Sequence, residues 1–186
     1  MDFEPTKITD VMVIKPKVFC DDRGYFMETF RQIFFAENIS PVNFLQDNQS
    51  LSKDIGTVRG LHFQLSPKAQ GKLVRCVAGA IFDVAVDLRS DSPTFGEHVA
   101  VELTAENGCQ LWVPPGFAHG FCTLVHDTVV SYKVTQYYSA RHDRGLLWND
   151  PALNIDWPVS AEKAFLSNKD RSQPKLAEIA PTADWH

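Results

Sequence analysis

Positive charge is in short supply in this sequence: 18 lysines and arginines stand against 23 aspartates and glutamates, a formal net charge of -5 over 186 residues. A chain with no basic surplus offers no electrostatic footprint for nucleic acid or an anionic membrane. An anionic small ligand would have to be met by a local cluster of cations. Cysteine is sparse as well. Cys20, Cys76, Cys109 and Cys122 show no C-x-x-C spacing, and three of them lie in apolar or strand-like runs. That pattern argues for packed, reduced thiols and against a disulfide frame. No apolar run approaches the ~18 residues of a membrane span. The start, Met1-Asp2-Phe3-Glu4-Pro5, has neither the positive region nor the apolar stretch of a signal peptide. A soluble, cytoplasmic protein is the expectation. Repeats, low-complexity tracts and linkers are lacking too. With 44% apolar and 22% charged residues, residues 1–186 are expected to form one domain whose core needs no staples.

Helical signal is equally thin. Thr29 to Asn38 places Phe30, Ile33 and Phe34 at i, i+3, i+4 spacing, enough for one short amphipathic helix. A second short helix is expected near Ala161-Glu162-Lys163-Ala164, within a Pro- and Asp-rich tail beyond Trp148. Between about residue 56 and residue 145, by contrast, turn residues recur at short intervals. The segments between them are rich in Val, Phe, Leu and Tyr, which predicts an all-β sandwich or barrel. Leu73 to Val77 and Ala80 to Leu88 read as two strands around the turn Ala78-Gly79. In the second, Phe82, Val84, Val86 and Leu88 share one face, opposite Asp83, Ala85 and Asp87. Val99 to Leu103 and Gln110 to Val113 are two more strands. A further one, Val129 to Gln136, sets Val130, Tyr132 and Val134 on one side and Ser131, Lys133 and Thr135 on the other.

Two segments put titratable groups into this apolar setting. One is Arg59-Gly60-Leu61-His62-Phe63-Gln64, followed by Gln70-Gly71-Lys72-Leu73-Val74-Arg75; the other is Trp112-Val113-Pro114-Pro115-Gly116-Phe117-Ala118-His119-Gly120-Phe121. Alone, His62 reads equally as a core histidine bonded to a carbonyl or as a functional imidazole. Lys72 favours the functional reading, because an ammonium flanked by apolar residues is costly to bury unless it meets an anion.

The spacing Pro114-x-Gly116-x-x-His119 resembles the second motif of the cupin barrels. The fold it implies is mainly β: a double-stranded β-helix, or jelly-roll barrel, with a few short helices. Metal-binding cupins carry two histidines one residue apart and a glutamate in their first motif. Here that place reads His62-Phe63-Gln64, with no carboxylate at a short interval, so no metal is expected.

Longer stretches carry a more specific likeness. Arg59-Gly-Leu-His62-Phe-Gln, Gln70-Gly-Lys72-Leu-Val-Arg75, Phe82-Asp83-Val-Ala-Val-Asp87-Leu-Arg89, Ser92-Pro-Thr-Phe-Gly96 and Pro115-Gly-Phe-Ala-His119-Gly-Phe resemble the dTDP-4-dehydrorhamnose 3,5-epimerase family. The similarity runs from Lys17 to Asp170, in order. The resemblance implies epimerisation at C3 and C5 of dTDP-4-dehydro-6-deoxy-D-glucose, without a cofactor, on the way to the L-rhamnose of cell-surface glycans. Chemistry agrees with it. A C4 ketone acidifies the C–H bonds at C3 and C5, and an imidazole with a reference pKa of ~6.5 suits proton abstraction at neutral pH.

In the family, the histidine matching His62 is the base, and the aspartate matching Asp170 pairs with it. Lys72 matches the lysine beside the developing enolate oxygen. Tyr132 matches the proton donor that works from the opposite face; read alone, it is an inward aromatic whose hydroxyl finds a partner. His119 and Asp83 match a second polar pair that lines the pocket. The choice of His62 over His119 as base rests on the family match. Arg23 and Arg59 match phosphate-binding residues, and Lys169 is a candidate for the same end of the ligand. Glu28, Gln46 and Asn48 match nucleoside-binding positions, and Tyr138 the aromatic that stacks on thymine. Asp143 falls where many relatives carry glutamate, a shorter reach to the ligand. The family is usually a homodimer in which Arg23 and Glu28 complete the partner's site. Phe19, Tyr25, Phe26, Phe30, Phe34 and Phe35, more aromatics than one short helix needs, agree with this.

Three alternatives follow from the same residues: a relative that inverts only C3 or only C5, a metal-dependent cupin, and a sugar-nucleotide binding module without activity. A near-stoichiometric metal content would favour the second, and absence of proton exchange the third.

Overall fold

A computed structural model describes residues 1–182 and 184–185. Two antiparallel sheets lie face to face, as a jelly-roll β-barrel of the cupin kind. The six-stranded sheet runs in the order β1 (Asp2–Pro5), β2 (Met12–Lys15), β10 (Gln110–Val113), β7 (Lys72–Ala78), β12 (Thr128–Val134), β5 (Gln46–Ser52). The five-stranded sheet runs β13 (Asp143–Gly145), β6 (Val58–Gln64), β11 (Phe117–Thr123), β8 (Ala80–Asp87), β9 (His98–Thr104). A separate hairpin, β3 (Val18–Asp21) with β4 (Gly24–Met27), pairs only with itself.

Strand alternation decides what each face meets. Val74, Cys76, Ile81, Ala85, Val99, Leu103, Leu111, Phe117, Phe121 and Val130 point between the sheets and form one buried cluster. Burial of each Val, Leu, Ile or Phe side chain among them is worth roughly 1.5–3 kcal/mol. On β8 the apolar face expected from the sequence is the outer one. Val84 and Val86, with Leu61, Phe63 and Ala118 of neighbouring strands, pack under Leu146, Leu153 and Trp185 from the C-terminal segment. The opposite face, which carries Asp83, turns to the barrel interior. The outside of the six-stranded sheet is covered by α1 (Gln32–Asn38), whose Phe35 packs on Ile14, Leu73 and Trp112. α1 is shorter than the expected Thr29 to Asn38. Ala161–Ala164 forms no helix: Lys163 and Ala164 donate to the Ser160 carbonyl in a turn. The second α-helix, α2 (Asn168–Arg171), comes a few residues later, with the Ser167 hydroxyl accepting from the Asp170 N–H at 3.1 Å as its cap.

β6 and β11 are out of step. His62 faces His119 and Arg59 faces Phe121, so three steps along β6 match two along β11. That is a β-bulge, with one extra residue on β6. Gly60 takes it up at φ +141°, and a Cβ there would stand 2.5 Å from Gly120 Cα. Residues i and i+3 of a regular strand point to opposite faces. The bulge lets Arg59 and His62 border the same cavity.

Candidate active site

At one end the barrel interior changes from apolar to polar. The walls there come from both sheets: His62, Gln64 and His119 from the five-stranded one, Lys72, Tyr132, Gln46, Asn48 and Ser50 from the six-stranded one. They enclose a two-lobed cavity. One lobe, of about 280 Å³, is bordered by Arg59, His119, Phe121, Ser50, Ser167 and Asp170. The other, of about 360 Å³, is bordered by Gln46, Asn48, Gln64, Gln70, Tyr138 and Asp143. His62, Lys72, Tyr132 and Lys169 border both. A larger cleft of about 650 Å³ opens elsewhere, around Asp10, Arg89 and Trp112, but it brings together no histidine, cysteine or tyrosine. Chemistry, and not size, identifies the two-lobed cavity as the candidate site.

Two histidine–carboxylate pairs are built into it. His62 Nε2 lies 2.5 Å from Asp170 Oδ1, and the pair joins residues 108 positions apart in the chain. Asp170 is buried while the His62 ring is about one-third exposed. Burial is the largest influence on the Asp170 carboxyl and pushes its pKa up. The hydrogen bonds and charges of His62, Ser167 and Lys169 outweigh it and hold the group below the usual carboxylate range. An ionised carboxylate on Nε2 holds the proton on that nitrogen and leaves the Nδ1 lone pair as the basic site. The second pair is His119 Nε2 with Asp83 Oδ1 at 2.8 Å, both buried. Asp83 Oδ2 has no partner among the described residues.

Lys72 Nζ, on the six-stranded wall, crosses the cavity to donate to the His62 carbonyl at 3.0 Å. Burial lowers its pKa to about 8; the carboxylates of Asp143 and Asp83 pull it back up, and Lys169 adds to the lowering. Burial raises the Tyr132 phenol above its ordinary value, with Arg59 partly offsetting this. Its hydroxyl makes no hydrogen bond with the described residues, which leaves it free to meet a ligand.

The second lobe has its own network. Lys169 Nζ meets Asp143 Oδ2 at 2.5 Å, and the Tyr138 hydroxyl donates to the same oxygen at 3.2 Å. Gln46 Nε2 donates to Asn48 Oδ1 at 2.7 Å. Arg59 falls in the lobe with His119, where Ser52 Oγ and the Leu51 carbonyl hold its guanidinium, each at 3.0 Å. Arg23 and Glu28 border neither lobe. Arg23 is fully exposed on the β3–β4 hairpin and paired with Asp21, and Glu28 pairs with Arg31 at 2.8 Å. Ser50, Gln64, Gln70, Phe121 and Ser167 border the cavity without having been anticipated as site residues. The alternation Gln46-x-Asn48-x-Ser50-x-Ser52 is a sequence signal for the first of them, a strand whose inward face is polar throughout. No three of His, Cys, Asp and Glu converge closely enough among the described residues to hold a metal ion. Gln64, in the place of a cupin ligand, has its amide fully engaged with backbone groups.

A protein-family model described as dTDP-4-dehydrorhamnose 3,5-epimerase matches residues 5–178. A curated dTDP-4-dehydrorhamnose 3,5-epimerase of Sinorhizobium fredii is 60% identical over 179 residues, covering 96% of this chain and 91% of that one. Among solved structures, a dTDP-6-deoxy-D-glucose-3,5-epimerase of Legionella pneumophila in complex with dTDP-4-keto-L-rhamnose superposes with a TM-score of 0.92. It is 43% identical, with 96% of this chain and 94% of that chain covered. The dTDP-4-dehydrorhamnose 3,5-epimerase of Bacillus anthracis with TDP and pyrophosphate bound gives 0.88 at 50% identity, with 94% and 99% covered.

Proposed function

This chain belongs to the dTDP-4-dehydrorhamnose 3,5-epimerase family, and we propose that its two-lobed cavity performs the family's proton transfers with His62 and Tyr132 as the two catalytic acid–base groups. The enzyme epimerises C3 and C5 of dTDP-4-dehydro-6-deoxy-D-glucose to give dTDP-4-dehydro-L-rhamnose. Inversion requires that a proton leave one face of the carbon and return to the other. The observation that carries the assignment is the placing of His62 and Tyr132 on facing sheets at the borders of one cavity. His62, with Asp170 behind it, takes the proton α to the ketone, and the imidazolium that forms is stabilised by the carboxylate. The electron pair moves onto the C4 oxygen. Lys72, an ammonium at neutral pH, stabilises this enolate, a role worth on the order of 3 kcal/mol. Tyr132, kept protonated by burial, delivers a proton from the other wall.

The hexose fits the lobe bordered by His119 and Arg59, where the His119–Asp83 pair orients it. The nucleoside fits the lobe bordered by Gln46, Asn48 and Tyr138, with the thymine ring on Tyr138. Lys169, which borders both lobes, and Arg59, which borders the hexose lobe, suit the diphosphate. Arg23 and Glu28 reach a site only if they serve a second copy. The hairpin that carries Arg23 turns Phe19, Tyr25 and Phe26 to solvent at 52%, 64% and 70% exposure. We read it as the arm of a homodimer, donated to the partner's cavity. Four free cysteines suit a cytoplasmic setting.

The test is incubation with the dTDP-4-keto sugar in D₂O, read by NMR and mass spectrometry. Deuterium is expected at both C3 and C5 without added metal or nicotinamide, and at neither carbon with His62→Ala. Exchange that survives in His62→Ala would show that another group is the base. Label at one carbon only in the intact enzyme would select a single-site epimerase.

A further inference from the structure

Residues 135–142, between β12 and β13, belong to neither sheet, yet they carry Tyr138 at the rim of the cavity. Backbone groups in such a stretch have no ladder to pair with and must find partners elsewhere. Here one buried side-chain amide supplies the partners on either side of Tyr138. Gln64 ends β6 and is 3% exposed. Its Nε2 donates to the Tyr137 carbonyl at 3.3 Å and to the Lys68 carbonyl at 2.6 Å. Its Oε1 accepts from the Ser139 N–H at 2.7 Å. The residues on both sides of Tyr138 are therefore tied to the same amide. Between them, the Tyr138 N–H donates to Gln46 Oε1 at 3.1 Å. An amide carries donors and an acceptor side by side and so meets a carbonyl and an N–H at once; a carboxylate lacks the donors and an aliphatic chain lacks both.

We propose that Gln64 is a positioning residue for nucleotide binding, whose amide clamps the backbone around Tyr138 so that the ring stands ready as a platform for the pyrimidine. This rests on the reading that the nucleoside lies on Tyr138. A ring 60% exposed on an unpaired segment would otherwise have to be ordered at the moment of binding, and fixing it beforehand removes that cost from the affinity. Gln64 acts through Tyr138 and not on the reacting carbons, so its loss falls on KM and on dTDP affinity, not on the chemical step.

The experiment compares Gln64→Leu and the isosteric Gln64→Glu with the parent enzyme. It measures dTDP affinity by calorimetry, KM and kcat with the keto sugar, and hydrogen exchange at the Ser139 amide. Both variants are expected to raise KM and the dTDP Kd about tenfold, with kcat within about twofold. Gln64→Leu, which removes the acceptor for Ser139, is expected to speed Ser139 exchange about tenfold or more. Gln64→Leu added to Tyr138→Ala should weaken dTDP binding by less than about twofold further, because the clamp then holds nothing that the ligand uses. Unchanged KM in either variant, unchanged Ser139 exchange in Gln64→Leu, or a double variant that shows the full product of the two losses would each overturn the proposal. Tyr138→Ala with parental dTDP affinity would overturn the pyrimidine placement itself, and with it the nucleotide role of the clamp. Should Gln64→Leu fail to fold, Gln64→Glu, which keeps the size and the acceptor for Ser139 but loses the donors to the Tyr137 and Lys68 carbonyls, decides the outcome through KM and dTDP affinity.

Discussion

Replacing Lys72 by Met should stabilise the protein at neutral pH with respect to that ammonium while removing its activity. The magnitude comes from the depressed pKa. Burial holds Lys72 at about 8, against 10.5 in a solvated chain. At 1.36 kcal/mol per pH unit, keeping it charged in the fold costs about 3 kcal/mol. The sign is the reverse of the usual lysine case. Below pH 8 both folded and unfolded chains hold the proton, and the full cost is present. As pH rises from about 8 to 10.5 the folded chain releases its proton while the unfolded chain keeps it, so stability increases. Above 10.5 the cost is gone. Lys72→Met carries no such cost, so urea unfolding from pH 7 to 10.5 should show the parent enzyme gaining about 3 kcal/mol on the variant. The absolute gain of the variant at pH 7 will be smaller. Its loss leaves the His62 carbonyl without the 3.0 Å bond from Nζ, worth about 1 kcal/mol, and leaves Asp83 without a nearby cation. Two stability profiles that run parallel across this window would refute the reasoning, because Lys72 would then be as well solvated in the fold as out of it.

Tyr132→Phe should cut epimerised product about a hundredfold or more, yet leave solvent exchange at the substrate carbons within about tenfold, as NMR in D₂O would show; equal loss of both would make Tyr132 a shaper of the pocket and nothing more. Gly60→Ala should lower stability by about 2–4 kcal/mol in a urea titration, since it meets both a positive φ and the Gly120 backbone. Parental stability there would mean that the bulge relaxes easily. Phe26→Glu on the exposed hairpin should turn a dimer into a monomer by sedimentation and depress turnover, and a monomeric parent enzyme would remove the reading of the hairpin as a shared arm.

The strands that the sequence revealed are those with a strong two-residue period. Ala80–Asp87 and Gln110–Val113 emerge with nearly the expected ends because one face of each is uninterruptedly apolar. Which face turned inward was not evident, since the C-terminal segment covers the outside of β8 and a polar inner face is what a cavity requires. The bulge at Gly60 was signalled only by a glycine inside a strand. Neither periodicity nor spacing pairs His62 with Asp170. That contact depends on a four-residue helix within a long irregular tail, and only the family likeness pointed to it. In the sequence Gln64 reads only as a poor substitute for a metal ligand, whereas its work is hydrogen bonding to backbone groups brought near by the fold.

The same tail has a bearing on how the enzyme comes into being. A ribosome delivers the chain from the N-terminus, and every strand of both sheets is complete by Gly145. Residues up to Gly145 thus contain all the strands together with His62, Lys72 and Tyr132, but not the carboxylate behind the imidazole. About 25 residues more must emerge before Asp170 docks. Under the proposed assignment, the base therefore acquires its orienting carboxylate only after every strand of both sheets has been made.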